Sequence, residues 1–126
     1  MMLLNDFYSL LQHDPADSSV TARISINRNH KILQGHFPGL PIVPGVCMMQ
    51  IIREIMEVTI KKPLRLVAAD NMKFLTVINP EKNSEVEATV LYTKDDDQFL
   101  INATLFLGTV TFFKLKATLK TSAWSL

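Results

Sequence analysis

The chain has 126 residues, 48% hydrophobic and 20% charged, with a formal net charge of +1 and one cysteine, Cys47. That length suits a single domain, 1–126, built on one core. The charge balance gives no bulk electrostatic case for nucleic acid or an anionic membrane, and the cysteine usage excludes an internal disulfide or a zinc-spaced Cys/His cluster.

The opening stretch MMLLNDFYSLLQHD lacks the basic start of a signal peptide. No apolar run reaches the roughly 20 residues that a membrane helix needs. A reducing, cytoplasmic setting is therefore expected. Residues 2–12 carry Leu3, Leu4, Phe7, Leu10 and Leu11 at helical spacing, which predicts a short amphipathic helix ended by Pro15. SVTARISIN (19–27) alternates Val20, Ala22, Ile24 and Ile26 on one face and predicts a strand. Residues 28–44 are polar, then rich in proline and glycine, and predict a loop with an embedded turn.

From Gly45 to about Ile60 the pattern is helical. Val46, Met48, Met49, Ile51, Ile52, Ile55, Met56 and Val58 leave almost no polar face in its first half, so the helix is buried on most sides. Pro63 closes it off. Residues 64–75, 84–93, 99–107 and 110–120 read as strands, separated by NPEKN (79–83), KDDDQ (94–98) and Gly108-Thr109. The last three form an antiparallel meander. One apolar helix among five strands is buried most simply by wrapping the sheet around it, an α+β arrangement. The sheet edges that remain predict pairing with a second copy.

Residues 35–50, GHFPGLPIVPGVCMMQ, carry the chemistry. Pro38, Pro41 and Pro44 stiffen the backbone beside His36. Pro44-Gly45 opens the helix, whose first-turn N–H groups have no intrahelical partners, and Gly45 lets a substrate atom approach closely. A positioned base beside dipole-aligned donors is what removing a proton next to a carbonyl requires. Histidine suits the base, with a reference pKa of about 6.5.

The run from His36 through Gly45, HFPGLPIVPG, resembles the HFPG-x-P-x-x-PG signature of the hotdog-fold 3-hydroxyacyl-acyl carrier protein dehydratases of fatty acid synthesis. The weaker likeness of SVTARISIN, ADNMKF and KLKATLK extends it over most of the chain. Variant members such as those of aryl polyene pathways come within the same resemblance. It implies a sheet wrapped around one long helix and a homodimer, or a larger assembly of dimers, with active sites at the interface. It also implies a hydro-lyase without metal or cofactor. The substrate would be a (3R)-3-hydroxyacyl thioester on the phosphopantetheine arm of an acyl carrier protein, and the product a trans-2-enoyl thioester. His36 falls on the family's catalytic histidine and Gly45 on the glycine whose N–H binds the thioester carbonyl. Phe37, Pro44 and Val46 flank that pair as substrate-binding residues.

The family's acid, a Glu or Asp from the partner subunit, lies fourteen residues beyond the histidine, where this chain has Gln50. An amide is nearly isosteric with Glu but has no titrating proton to donate. Three substitutes are open. His36 itself takes and returns the proton while Gln50 orients the hydroxyl or a water; or Glu54, one turn further along the helix, is the acid; or Asp70, in the following strand, is. A thioesterase on the same fold and a non-catalytic acyl-thioester-binding subunit are the competing functions. Arg23, Arg28, Lys31, Lys61, Lys62 and Arg65 are candidates for docking an acidic carrier. Cys47 and the methionine-rich stretch Met48, Met49 and Met56 read as core, and the three methionines could also line an acyl tunnel. His13 and His30 read as solvated, and Asp95, Asp96 and Asp97 as a turn.

Overall fold

The computed structural model describes residues 2–36 and 41–122, with residues 35 and 36 given by backbone alone. Its elements are β1 (Tyr8–Pro15), β2 (Ser19–Ile26), α1 (Lys31–His36), α2 (Gly45–Ile60), β3 (Leu64–Phe74), β4 (Glu85–Asp95), β5 (Gln98–Leu107) and β6 (Val110–Thr121). All six strands join one antiparallel sheet in the order β1-β2-β4-β5-β6-β3.

Strict alternation explains how the sheet receives the helix. Val86, Ala88 and Val90 of β4, Ile101, Ala103 and Leu105 of β5 and Leu115, Ala117 and Leu119 of β6 are buried on one face. Against them α2 buries Met48, Ile51, Ile52, Ile55 and Met56. The helix ends at Lys61, which takes a left-handed conformation (φ 59°) and returns its N–H to Glu57 O. Gly108 (φ 58°) makes the tight β5–β6 turn. The long helix, the meander and the early strand lie where their periodicity predicted.

Two stretches differ from expectation. Residues 2–12 do not form a helix. Only one turn forms, with Phe7 N–H donating to Leu3 O over 2.7 Å, and Asn5 has a positive φ of 67°. From Tyr8 the chain becomes β1 because pairing with β2 satisfies a whole row of backbone groups, which a marginal short helix could not match. The helical spacing survives only in the burial of Leu3 and Phe7. The predicted loop also contains α1. His30 starts it, since its carbonyl accepts Leu33 N–H at 3.0 Å and its Nδ1 accepts Ile32 N–H at 3.1 Å. Six residues are too few for an apolar period to show.

Candidate functional site

The start of α2 is bare of side-chain caps. Pro44, at φ −63° and ψ 147°, precedes the helix, and its carbonyl accepts the N–H groups of Cys47 and Met48 at 3.0 and 3.2 Å. The N–H groups of Gly45 and Val46 have no intrahelical acceptor and lie at the positive end of the helix dipole. A side chain on residue 45 would meet the Phe74 ring. A Cβ there would stand 2.6 Å from Phe74 Cε1 and 2.9 Å from Cζ. Pro44, Gly45, Met48, Phe74 and Val77 line a recess of about 380 Å³. Phe74, at the end of β3, packs at 5.0 Å between ring centroids on Phe113.

Gln50 opens on a different recess. Five residues from Gly45 is a rotation of roughly 140° and a rise of about 7.5 Å, so the two leave the helix on different faces. With Val46, Met49, Arg53, Leu66 and Leu119, Gln50 lines a pocket of about 160 Å³ between α2 and the sheet. Of the substrate-binding candidates, Pro44 is buried and Val46 is exposed. His36 closes α1, but its side chain and all of Phe37 lie outside the described residues.

Glu54 has a demanding structural task. It is fully buried, and its oxygens accept from Leu3 N–H (2.8 Å), Leu4 N–H (2.9 Å), Tyr8 O–H (2.9 Å) and Gln50 Nε2 (2.8 Å). Four donors satisfy an acceptor-only group and tie the amino-terminal turn to the central helix. Burial, then the nearby Glu54 charge and hydrogen bond, push the Tyr8 phenol far above its usual range. Burial first and Glu54 second also raise the Cys47 thiol, which makes it a packed core group and not an activated nucleophile. Sequence reasoning missed this network. Its one legible signal is a charged residue set among Ile51, Ile52, Ile55 and Met56.

Asp70 stands at a register shift in β3 and lines a recess with Leu91, Leu100 and Lys116 on the sheet face away from α2. The strand does not bring it towards Gln50. His13 and His30 are not the solvated residues their polar neighbours suggested. His13 Nε2 lies 3.0 Å from Thr59 Oγ1. His30 is buried, 3.1 Å from Asp6 Oδ2 and edge-on to Phe7. Local composition hides both, because their partners come from distant elements.

Lys61 and Lys62 follow the carboxyl end of α2, a helix length of about 24 Å from Gly45. A tighter basic group lies elsewhere. Lys73 of β3 is directly opposite Lys114 of β6, and Lys116 is flanked by Asn71 and Asn102 on the outer sheet face. Beyond it, β3 is exposed from Arg65 to Phe74, with β6 on one side only. Leu66, Val67, Met72 and Phe74 are among its exposed apolar side chains. A long apolar edge of this kind invites a partner strand.

A sequence profile of the ApeI-like family, described as ApeI dehydratase, matches residues 12–105. The 3-hydroxyacyl-acyl-carrier-protein dehydratase FabZ of Rickettsia bellii (strain OSU 85-389) is 28% identical over 109 residues, covering 80% of this chain and 70% of the relative. Its namesake in Rickettsia conorii is 27% identical over 110 residues, covering 81% and 71%. Among solved structures, the dehydratase heterocomplex ApeI:P from Xenorhabdus doucetiae matches with a TM-score of 0.72 at 15% identity, over 89% of this chain and 96% of that one. The protein PH1136 from Pyrococcus horikoshii matches with a TM-score of 0.67 at 9% identity, over 98% and 86%. At these identities the structural likeness speaks for the fold.

Proposed function

Because this chain belongs to the ApeI-like dehydratase family and has the hotdog fold of its structural neighbours, we propose that it removes water from a (3R)-3-hydroxyacyl thioester carried on an acyl carrier protein. The product is the trans-2-enoyl thioester, within fatty acid or related acyl-chain synthesis in the cytoplasm. The whole chain acts as one domain. The observation that carries this reading is the start of α2, where Gly45, whose N–H has no intrahelical acceptor, lines a largely apolar recess.

In this mechanism the thioester carbonyl accepts from Gly45 N–H, which stabilises the enolate as charge develops on oxygen. His36 takes the C2 proton, the C2–C3 double bond forms and the C3–O bond breaks. The imidazolium then returns its proton to the departing oxygen, and water leaves. Pro44, Val46 and Phe37 shape the channel around the thioester. Gln50 orients the hydroxyl. Since Gly45 and Gln50 of one copy open on different recesses, the complete site is composed by two copies joined along β3.

Incubating the purified chain with a 3-hydroxyacyl carrier protein tests the assignment. Enoyl absorbance should appear without release of free thiol, and His36→Ala should lower the rate by roughly 10²–10⁴ while the fold persists. Free thiol in place of enoyl product would make the chain a thioesterase instead.

One observation favours a second reading. With Gln50 where the family has an acid, the chain would serve as an acyl-thioester-binding subunit beside an active homologue, as in a heterocomplex. Turnover that appears only after a second dehydratase-like chain is added would select it.

A further inference from the structure

The hydrogen bond between half-buried Gln50 and buried Glu54 has a direction. Gln50 Nε2 donates to Glu54 Oε2 over 2.8 Å. The carboxylate's other contacts, from Leu3 N–H, Leu4 N–H and Tyr8 O–H, are donors too, so its role in the network is acceptor throughout. Only the NH₂ end of an amide suits such a group, and chemistry therefore fixes which way the Gln50 amide is turned. Its carbonyl oxygen is on the side away from Glu54, in a side chain that lines the recess with Val46, Met49, Arg53 and Leu66.

We propose that Glu54 is a positioning residue: it holds the Gln50 amide by its nitrogen so that position 50 presents an acceptor, not an acid, to the substrate's 3-hydroxyl. The identity of that substrate rests on the dehydratase reading above. The consequence is chemical. A hydroxyl that donates to Gln50 Oε1 keeps its oxygen lone pairs available. The proton that His36 has taken from C2 can then return to that oxygen, the C3–O bond breaks, and the hydroxyl's own hydrogen departs in the water. An amide turned the other way would donate to the same oxygen and compete with the returning proton. Glu54 thus suits position 50 to a mechanism with one acid–base group.

The test separates positioning from stability. In a His36→Ala background, which stops turnover, affinities for 3-hydroxybutyryl and butyryl N-acetylcysteamine thioesters are compared by following the nitrogen-15 side-chain amide signal of Gln50. The hydroxylated ligand should bind at least about fivefold more tightly, the worth of one hydrogen bond. Glu54→Gln should reduce that preference below about twofold, and in the His36-containing protein it should lower kcat with little change in KM. Tyr8→Phe removes another of Glu54's donors without touching Gln50, and should cost stability while keeping the preference. Should Glu54→Gln fail to fold, Glu54→Asp keeps the charge, withdraws it by one methylene and should also weaken the preference. A folded Glu54 variant with the full preference, or an equal loss in Tyr8→Phe, would overturn the proposal. If the wild-type chain turns over no 3-hydroxyacyl thioester, the dehydratase reading falls. A hydroxyl preference that depends on Glu54 would still uphold this inference, and its absence would end it.

Discussion

Phe74 covers Gly45 so closely that a Cβ on residue 45 would lie 2.6 Å from its ring edge. The contact joins the end of β3 to the first turn of α2, and a side chain on residue 45 would crowd the ring. Two effects of Gly45→Ala oppose each other. Helix propensity favours alanine by up to about 1 kcal/mol. The displaced ring loses packing on Phe113, but Phe74 is 57% exposed and has space to swing. The net change in stability should stay within about 1 kcal/mol. In the proposed mechanism turnover should fall at least tenfold, because the methyl would shield the N–H assigned to the enolate oxygen. Adding Phe74→Ala should relieve the clash without restoring kcat. Recovery of kcat in the double variant would assign the loss to the ring.

Tyr8 predicts an alkaline weakness. Its phenol is raised in the folded state, by burial first and by the Glu54 charge and hydrogen bond next. A group held protonated in the fold contributes stability that is present below its unfolded pKa and lost as pH rises above it. The ordinary value for a tyrosine is 10.0, so the loss begins there. Above that pH the unfolded chain ionises and gains about 1.4 kcal/mol per pH unit over the folded one. Tyr8→Phe should be less stable than wild type near pH 7, by about 1–2 kcal/mol for the lost hydrogen bond to a charged acceptor. Urea melts across pH 7–11 should show that gap closing above pH 10. A constant gap would mean that the phenol is not held protonated by its site.

The Lys73–Lys114 pair bears on the carrier. Like charges directly opposite on neighbouring strands are destabilising by a few tenths of a kcal/mol or more, and Lys116 adds a third in the same recess. If that arrangement serves an acidic carrier protein, Lys114→Glu with Lys116→Glu should raise KM for carrier-bound substrate severalfold. A small thioester mimic should be unaffected. The variant should also melt slightly higher, since Lys73 gains an opposite partner. Equal effects on both substrates would remove this face from carrier docking.

The sequence made α2 and the β4–β5–β6 meander legible because their partners are regular and close. Val86, Ala88 and Val90 alternate, and Ile51, Ile52 and Ile55 repeat at helical spacing, whatever lies opposite. The amino-terminal stretch was misread because its outcome depends on two remote groups, the β2 edge and the Glu54 carboxylate 50 and 51 residues beyond Leu4 and Leu3. The same is true of His30, whose partner Asp6 is 24 residues earlier. The motif placed Gly45 at the start of a helix, which the fold bears out. It could not give the direction of the Gln50 amide, which follows from its bond to the buried carboxylate one turn away.

The β3 edge should hold the second copy. Its residues from Arg65 to Phe74 are exposed, while the inner face of every strand from β2 to β6 other than β3 is buried. Met72→Asp puts a charge among Leu66, Val67 and Phe74 and would be desolvated in a paired edge. If two copies join there as proposed, light scattering should report a shift from dimer to monomer, with turnover lost in parallel because the two-copy site would no longer assemble. A monomeric variant with full activity would show that one copy completes the site.

Gln50→Glu gives the most discriminating single change. It would place a second carboxyl about where the amide nitrogen now lies, 2.8 Å from Glu54 Oε2. Two carboxylates at that distance do not both ionise; they share one proton, and the pair titrates as a unit with one step raised. A proton bound more tightly in the fold than in the unfolded chain stabilises at low pH and is lost as pH rises. The variant should therefore be close to wild type near pH 5 and fall behind towards pH 8. The deficit is about 1.4 kcal/mol for each unit by which the shared proton is held above the carboxyl range. On activity the outcomes diverge. With Gln50 as an orienting acceptor, kcat stays flat or drops, and Gln50→Ala also loses activity. A tenfold gain in kcat from Gln50→Glu, with Gln50→Ala unchanged, would show that the site lacks only an acid.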